Sequence, residues 1–566
     1  MNRLTTFLKQ HLGDVGVVFY TSLLIITAFV VTSALQPDTV EAIAQKILDA
    51  TAKNVGWMYL MATTGFVLFI FFLAFSRFGN LRLGQENELP EFSFTSWLAM
   101  IFSGGMGVGL VFWGVAEPIM HLNDPPLGLA EPRSVEAAQL GMRYSFFHWG
   151  FHQWANFTLV GLAIAYVRFR HNSYGLISET FRPLLGERVD RGWGKAIDIL
   201  AVVSTLFGVA TTLGLGALQV NSGLSRLGVM DYSTISQFMI LGGLATLFTI
   251  SAMTPLDKGI RHLSNANLII ASGLLLFVLV TGPTAFIFGE FTQTLGEYLG
   301  NLIEMSLVTA PHSDEKWVEQ WTMFYWAWGL SWAPFVGSFI ARISRGRTIR
   351  EFVMGVMVVP VALSMLWFST FGGSAIHFEL FEGVGIADAV AQEVPSGLYV
   401  LLDQLPWGVV AAVLAVILVS MFVVTSADSA TFVLGMFTSK GVLTPTRFVR
   451  VLWGCLQLLM ASVLLLSGGL YGLRTLSIIA AFPFMLLMVL MAFSLHKDLA
   501  TDIRRRDEKN AMIHARMEQW LLRESEREAE RQKEEETHPT VPEECPDPTC
   551  AEDSVQPDSE NTKLQT

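Results

Sequence analysis

The chain has 566 residues, of which 52% are hydrophobic and 15% are charged, and its formal net charge is −12. A mean hydropathy of +0.47 leaves too little polar surface for a water-soluble globule of this length. The composition therefore excludes a soluble globular protein and predicts an all-α integral membrane protein. The expected partner is a lipid bilayer and not nucleic acid.

About twelve apolar segments are long enough to cross a bilayer as helices, because a span needs about 20 apolar residues. They lie near 15–35, 55–76, 95–120, 140–167, 195–219, 233–254, 266–288, 318–341, 352–373, 406–436, 449–468 and 473–495. We predict four regions: 1–90 with an N-terminal tail and two peripheral spans, 91–290 with five helices, 291–497 with a periplasmic helix and five more helices, and 498–566 with a charged cytoplasmic helix and a disordered acidic tail. Five is an odd number, so the second five-helix unit is expected to lie inverted relative to the first.

The orientation follows from the basic residues, which are retained on the cytoplasmic side of short loops. They fall in alternate loops: Arg77, Arg82, Arg168, Arg170, Arg188, Lys258, Arg261, Arg342, Arg345, Arg347, Arg350, Lys440, Arg447 and Arg450. The long loop at 374–406 has no Lys or Arg. We therefore expect both termini in the cytoplasm, and we read no cleavable signal before the first span.

The third segment, FTSWLAMIFSGGMGVGLVFWGVAEP, has an unusual cluster of glycines at its centre. These are Gly104, Gly105, Gly107 and Gly109. Each glycine costs a helix interior ~1 kcal/mol relative to alanine. Because the glycines lie on every side of the helix, we favour an unwound segment, with close helix packing as the alternative. Unwound backbone at this depth is tolerated where it lines a cavity, and its amides and carbonyls then bind a carboxylate or a cation.

The fourth and eighth segments are rich in aromatic residues. In FFHWGFHQWANF, Trp149, Trp154 and Phe157 cover an arc of roughly 140° on a helix. In WTMFYWAWGLSWAPFVG, four rings form one stripe that Gly329 interrupts: Trp321, Tyr325, Trp328 and Trp332. Packing or an interfacial belt is one explanation of such rings. A cage for a cation is the other, since each ring face stabilises a quaternary ammonium by ~0.5–2 kcal/mol.

The third and eighth segments begin the two predicted five-helix units, and both have an unusual composition. Interrupted helices at matching positions in two halves are a pointer to the binding site in transporters that are built from inverted repeats.

Several ionisable residues and cysteines lie outside these patterns. His148 and His152 are one turn apart, but with no third ligand evident we expect packing or hydrogen bonding and no metal site. Glu117 and Asp428 are candidate functional acids by their position, with an ion pair or a helix cap as the structural alternative. Three cysteines, Cys455, Cys545 and Cys550, are not expected to form a disulfide or metal framework.

Each of the two charged stretches allows two interpretations of its function. The helix after His496 is predicted to be a solubilising extension, with a regulatory arm that contacts lipid or loops as the alternative. The basic run ARISRGRTIRE, which begins at Ala341, is predicted to determine orientation, with a contact to the C-terminal helix as the alternative.

Four segments of the chain resemble the betaine/choline/carnitine transporter family. GMGVGLVFWGVAEP, FHWGFHQWANF, FYWAWGLSWAPFVGSFIARISRGRTIREF and VTSADSATFVLG are similar to its signatures in order and spacing, and the match covers roughly residues 15–495. The resemblance implies a leucine-transporter-like fold of two inverted five-helix repeats after two N-terminal helices, a homotrimer, alternating access, and a bacterial cytoplasmic membrane.

The resemblance also implies which residues bind the solute. It carries over Trp149 and Trp154 from the family's aromatic box, with Phe157 where tyrosine is usual and Gly329 where the family has a tryptophan. Together with the aromatic stripe and the glycine stretch, the predicted solute-binding residues are Gly105, Met106, Gly107, Gly109, Trp149, Trp154, Phe157, Trp326, Trp328, Gly329 and Trp332. The expected substrate is a betaine-like zwitterion or a quaternary ammonium compound. The loss of an indole leaves open a bulkier or non-quaternary solute such as dimethylsulfoniopropionate, ectoine or taurine.

The coupling ion implied by the resemblance is Na⁺, since proton-coupled choline-specific members carry an acid in the glycine stretch. Backbone carbonyls of Ser103, Met106 and Phe422, with the side chains of Thr425 and Ser426, would form one sodium site. A second site at Thr205 and Phe335 is less complete, because Val209 stands where a hydroxyl would be expected. Proton coupling and solute exchange remain alternatives, no organic cofactor is expected, and an intramembrane enzyme or a channel are the rival classes.

Overall fold

We describe the protein from a computed structural model, which describes residues 12–105, 107–253, 256–312 and 316–537. Within these ranges the regular secondary structure is helical, and the β-type pairing consists of an isolated bridge between Arg82 and Thr348. The all-α prediction is confirmed for this part of the chain.

The helices are numbered here in chain order. They are α1 Val17–Leu35, α2 Pro37–Phe75, α3 Phe94–Gly105, α4 Val108–Asn123, α5 Val135–His148, α6 Phe151–Arg170, α7 Arg182–Leu185, α8 Gly192–Arg226, α9 Thr234–Met253, α10 Leu256–Thr281, α11 Thr284–Leu307, α12 Phe324–Ile343, α13 Ile349–Glu382, α14 Ile386–Gln392, α15 Gly397–Asp403, α16 Gly408–Thr438, α17 Arg447–Leu466 and α18 Gly469–Thr537. Short 3₁₀ turns lie at Arg77–Asn80, Pro126–Gly128, Ser178–Phe181, Gly186–Asp190 and Val394–Ser396.

Eight of the described helices are long and apolar enough to cross a membrane, which agrees with a protein that spans the bilayer several times. They are α1, α2, α8, the part of α10 from Leu263 to Thr281, α13, α16, α17 and α18. The third, fourth, sixth and eighth predicted spans are not among them, and the third is divided into helices of 12 and 16 residues. The count of twelve spans therefore stays a prediction.

The interruption predicted in the glycine cluster is present. Helix α3 ends at Gly105 and α4 begins at Val108, and Gly107 between them has an extended backbone with φ −160° and ψ −148°. The carbonyl of Gly107 accepts a bond from the amide of Leu110 at 3.2 Å, which starts the new helix. Met106 lies outside the described residues.

A second interruption divides the fourth predicted span, and the sequence did not indicate it. Helix α5 ends at His148 and α6 begins at Phe151, with Gly150 at φ −87° and ψ −147°. The hydroxyl of Tyr298 accepts a bond from the free amide of Phe151 at 3.1 Å. This break places Trp149 at the junction of the two helices.

The aromatic helix α12 is continuous and is preceded by an irregular turn. The helix runs without a break from Phe324 to Ile343, through both Gly329 and Pro334. A wide π-turn at Glu319–Met323 precedes it. A single glycine costs a helix only ~1 kcal/mol, so Gly329 is accommodated within a continuous helix.

The two interruptions and the aromatic helix lie side by side in the fold. Helix α12 packs along α6 and also against α8, and α4 packs against α5, α8 and α13. The rings of α6 and α12 therefore meet next to the start of α4.

The basic run after α12 is connected by hydrogen bonds and an ion pair to the segment that precedes α3. The guanidinium of Arg347 donates to the carbonyl of Phe92 at 2.7 Å, and Arg82 donates to the carbonyl of Gly346 at 2.8 Å. Arg345 pairs with Glu88 at 2.5 Å. These bonds give the run a structural role in addition to the predicted effect on orientation.

The chain divides into two compact units, residues 1–500 and 501–566. In the second unit the described residues continue α18 to Thr537, and most of their side chains are exposed, including Met517 and Trp520. The predicted acidic tail with Cys545 and Cys550 lies outside the described residues. Cys455 is exposed on α17 as a free thiol.

Candidate functional site

A small cavity lies where the α3–α4 interruption meets the rings of α6 and α12. It is lined by Gly105, Gly107, Gly109, Leu110, Trp149, Gln153, Trp154, Phe157, Trp328 and Trp332. Its volume of about 30 Å³ is enough for one or two water molecules. An organic solute therefore needs some of the lining rings to rotate away.

Most of the predicted solute-binding residues meet at this cavity. Gly105, Gly107 and Gly109 line it together with the rings of Trp149, Trp154, Phe157, Trp328 and Trp332. Leu110 and Gln153 also line it and were not predicted.

Trp326 is placed elsewhere and is removed from the predicted set. Its ring stacks on His152 at a centroid distance of 4.9 Å and packs against Phe147 at 5.1 Å. Trp326 precedes Trp328 by two residues, which is a rotation of about 200° around the helix, so its ring faces away from the cavity.

The glycines at the interruption allow the indole rings to approach the backbone. A Cβ atom on Gly105 would lie 2.4 Å from Cη2 of Trp154, and one on Gly109 would lie 2.2 Å from Cη2 of Trp328. Both separations are far below van der Waals contact, so a larger residue at either position would displace a ring.

The rings around the cavity present both faces and edges. Trp149 and Trp328 meet edge to face with centroids 6.0 Å apart, and Trp154 and Phe157 do so at 5.5 Å. Trp328 continues the stripe to Trp332 at 6.3 Å. Ring faces oriented at such angles around one space can surround a cation.

A buried carboxylate is hydrogen-bonded to one ring of the cavity and to a neighbouring tyrosine. Oε2 of Glu117 accepts bonds from the indole nitrogen of Trp149 at 2.9 Å and from the hydroxyl of Tyr325 at 2.5 Å. Its other oxygen, Oε1, lies 2.7 Å from Nδ1 of His148, whose Nε2 bonds to Thr322 at 3.1 Å. Glu117 is completely buried, and its bond to Trp149 connects it to one ring of the cavity wall.

The same region contains a group of side chains with the spacing of metal ligands. Ligand atoms of Glu117, His121 and His148 lie within 4.8 Å of one another. A metal ion would have to break the bonds of His148. The guanidinium of Arg474, which lies 4.6 Å from the Trp321 ring centroid, already places one positive charge in this buried region. His148 is therefore held by hydrogen bonds to Glu117 and Thr322. Nε2 of His121 lies 3.5 Å from Oε1 of Glu117, and neither ring nitrogen of His121 has a hydrogen-bond partner among the described residues.

The second histidine of the predicted pair is also hydrogen-bonded. Nε2 of His152 lies 3.0 Å from the hydroxyl of Ser306 and 3.4 Å from that of Thr64. Its ring stacks on Trp326, so packing and hydrogen bonding account for this residue.

Gly329 faces a polar side chain across the cavity wall. A Cβ atom on Gly329 would lie 2.3 Å from Oε1 and 2.7 Å from Cδ of Gln153. The space beside Gly329, where a larger side chain would lie, is therefore filled by the side-chain amide of Gln153 on the neighbouring helix α6.

The predicted sodium residues lie partly beside the interruption. A Cβ atom on Gly107 would lie 3.8 Å from Oγ of Ser426. Oγ1 of Thr425 donates to the carbonyl of Met421 at 2.9 Å and accepts a bond from Nδ2 of Asn267 at 3.2 Å. Phe422 is buried on the same helix, α16, whereas Ser103 belongs to the last turn of α3.

Asn267 is a further polar residue at this place that the sequence did not indicate. It is 2% exposed, and its Oδ1 has no hydrogen-bond partner among the residues that the structure describes. The side-chain oxygen is thus an available ligand for a cation beside Thr425.

The residues of the second predicted ion site are buried on α8 and α12. Oγ1 of Thr205 has no partner within the described ranges, and Phe335 packs edge-on against Trp332 at 5.5 Å. Val209 is completely buried and offers no side-chain ligand.

Asp428 forms a buried ion pair with Arg450. Its Oδ1 lies 3.0 Å from Nη2 of Arg450, and both side chains are almost fully buried. The structural alternative predicted for Asp428 is therefore supported, and the pair connects α16 to α17.

Apolar spanning helices around an aromatic cavity at a helix interruption define a membrane transporter for small solutes. A family model described as betaine/carnitine/choline family transporter matches residues 17–504. The chain belongs to this family, which is one of transporters and not of enzymes.

Curated relatives support the assignment over almost the whole chain. The chain is 45% identical over 496 residues to the glycine betaine transporter OpuD of Bacillus subtilis, covering 87% of this chain and 96% of the relative. It is 44% identical over 483 residues to an ectoine/hydroxyectoine transporter of Virgibacillus pantothenticus, covering 85% and 96%. A glycine betaine transporter of Acinetobacter baylyi is 37% identical over 486 residues, covering 86% and 73%.

Proposed function

We propose that the protein imports a zwitterionic or cationic compatible solute across the bacterial cytoplasmic membrane by Na⁺ symport and alternating access. The observation that carries the proposal is the aromatic cavity, which places the rings of Trp149, Trp154 and Trp328 against the α3–α4 interruption. Glycine betaine and ectoine transporters among its relatives support this substrate range.

The proposed architecture has twelve spans. Two N-terminal helices precede two inverted five-helix repeats, both termini lie in the cytoplasm, and three chains form a homotrimer. Eight described helices already meet the length and composition of a span. The other four proposed spans are the interrupted α3–α4 and α5–α6 pairs, since broken helices are tolerated where they line a cavity, and the helices α9 and α12.

In the proposed mechanism the solute binds between ring faces and backbone amides. The cationic group is stabilised by the rings, at ~0.5–2 kcal/mol for each face. The amides freed at the start of α4, near Gly107, are available for the carboxylate, because a helix N-terminus attracts negative charge. Rotation of the rings that close the cavity then accompanies the change of access.

Sodium is the proposed coupling ion because the candidate ligands are neutral oxygens. Thr425, Ser426 and Asn267 supply hydroxyl and amide oxygens beside an interrupted helix, and hard oxygen ligands suit small cations. An inward Na⁺ contributes ~2.3 kcal/mol for each 100 mV of membrane potential, before its concentration gradient is counted. One ion is thus sufficient for useful accumulation, with Thr205 and Phe335 as the proposed second site.

The second candidate function is import of a bulkier or non-quaternary solute, with proton coupling or exchange as variants. Dimethylsulfoniopropionate, ectoine and taurine belong to this group. The observation that favours it is the amide of Gln153 at the place where the family resemblance implies an indole.

Equilibrium binding to the purified protein tests the sodium site and the substrate range together. Glycine betaine, choline, carnitine, dimethylsulfoniopropionate, ectoine and taurine are each titrated with and without Na⁺. We expect binding of at least one onium or cyclic cationic solute only when Na⁺ is present. Thr425→Val removes an oxygen and retains the side-chain volume, so it is expected to raise the Na⁺ concentration needed for half-maximal binding by tenfold or more.

The matched control is Thr246→Val on α9, where the hydroxyl is exposed and bonds to the carbonyl of Gly242. This variant is expected to leave the Na⁺ dependence unchanged. Binding that is equally strong without Na⁺, or that requires a lowered pH, would contradict the sodium proposal.

A further inference from the structure

The side chain of Gln153 is a buried polar group that the proposed cation cage does not use. It is 7% exposed and lines the cavity beside Trp154 and Phe157. Its Oε1 has no hydrogen-bond partner among the residues described by the structure. A buried amide oxygen without a partner costs stability, so a group that bonds to it in the cavity gains more than it would in water.

Gly329 is the residue that makes room for this amide. The atoms that any side chain at position 329 would meet first are Oε1, Cδ and Nε2 of Gln153, at 2.3–2.8 Å from an ideal Cβ. Helices α6 and α12 pack along each other, so neither backbone can withdraw without disturbing the other rings. Gln153 and Gly329 therefore form a pair in which one residue can be large only if the other is small.

The exchange of an indole for an amide changes what the wall can recognise. An indole face attracts a methylated cation, which has no hydrogen to donate. An amide oxygen instead accepts a hydrogen bond from an N–H or O–H group. A trimethylammonium group placed against this wall would leave Oε1 unpaired, and a site that is built to hydrogen-bond its substrate discriminates against analogues without the donor.

We propose that Gln153 is a specificity-determining residue, which selects solutes that carry an N–H or O–H donor on their cationic part over fully methylated onium compounds. A cyclic amidinium carboxylate such as ectoine is the class that fits: it has a delocalised cation for the rings, N–H groups for Gln153 and a carboxylate for the α4 amides. The inference rests on the proposed function as an importer of compatible solutes.

The test measures the binding of ectoine and glycine betaine to the purified full-length protein in saturating Na⁺. Gln153→Met keeps the length of the side chain and removes its hydrogen-bonding atoms. We expect the ratio of ectoine to glycine betaine affinity to fall at least tenfold in this variant. The matched control is Gln457→Met on α17, which removes an equally buried glutamine amide outside the cavity and is expected to leave the ratio unchanged.

A second set of variants tests the pairing without relying on one substitution. Gly329→Trp alone is expected to weaken the binding of both solutes, because the new ring collides with the Gln153 amide. Combination with Gln153→Ala opens the space for that ring. The double variant is therefore expected to bind glycine betaine at least tenfold more tightly than Gly329→Trp does, without the same gain for ectoine.

The outcomes separate the two proposals. If Gln153→Met weakens both solutes equally, or leaves their ratio unchanged, Gln153 does not determine specificity although the protein remains an importer of compatible solutes. If the unaltered protein binds none of the solutes of the panel in Na⁺, the proposed function itself fails.

Discussion

Individual residues around the cavity differ in how far the sequence reveals them. Helical spacing of Trp149, Trp154 and Trp328 left packing and a cation cage as alternatives, and the family resemblance implied solute binding for Trp149 and Trp154. All three line the cavity. Gln153 was not predicted, since a single glutamine between aromatic residues carries no pattern that indicates a contact across to α12. Its position became evident only when the space beside Gly329 was known.

The sequence likewise indicates the role of Glu117 only in part. Its position in an apolar segment marked it as functional or structural, and the distances assign it to Trp149, Tyr325 and His148. Such contacts join residues that are far apart in the chain, so spacing along one helix cannot reveal them.

We predict that Glu117→Gln weakens solute binding by about tenfold or more. Hydrogen bonds to a charged group contribute about 1.5–3 kcal/mol each, and an amide nitrogen in place of Oε2 cannot accept from both Trp149 and Tyr325. Binding titrations followed by intrinsic tryptophan fluorescence measure the change. Glu131→Gln, at an exposed position, is the control, and equal affinities of the two variants would show that Glu117 does not orient the cavity wall.

For the helices, the composition predicts the positions of the apolar segments better than it predicts the interruptions within them. The α3–α4 interruption follows from glycines that lie around the whole helix. The α5–α6 interruption was not predicted, since the hydroxyl that accepts the Phe151 amide belongs to Tyr298 on α11, far away in the sequence. Helix α12 continues through Gly329, since a lone glycine within an otherwise well-packed helix is tolerated.

The contact between α16 and α17 depends on a buried ion pair. We predict that Asp428→Asn destabilises the protein by about 3–5 kcal/mol, because it leaves the guanidinium of Arg450 buried without its charge partner. Thermal unfolding of the detergent-purified protein measures this effect. Replacement of both residues, Asp428→Leu with Arg450→Met, is expected to recover much of the loss.

The control for this pair is Asp403→Asn, which breaks a more exposed ion pair with Arg226. Exposed pairs contribute about 0–1 kcal/mol, so this variant should unfold close to the unaltered protein. A similar small effect of Asp428→Asn would exclude a stabilising role for the buried pair.

For the whole molecule, the apolar composition and the family signatures together predicted a multi-pass membrane transporter, and the match over residues 17–504 confirms the family. Composition and family signatures do not identify the substrate. Relatives of nearly equal similarity carry the names of glycine betaine and ectoine transporters. Overall similarity therefore does not identify the substrate, and we propose that Gln153, with the space left by Gly329, decides it.

We expect a sodium gradient to drive the accumulation of a compatible solute. The most direct test is uptake of radiolabelled glycine betaine and ectoine into proteoliposomes that contain the purified protein, with an inward Na⁺ gradient and the membrane potential clamped. We predict accumulation above the external concentration of at least one solute, which stops when a sodium ionophore dissipates the gradient. Equal accumulation under a proton gradient without Na⁺, or equilibration without accumulation, would contradict the account.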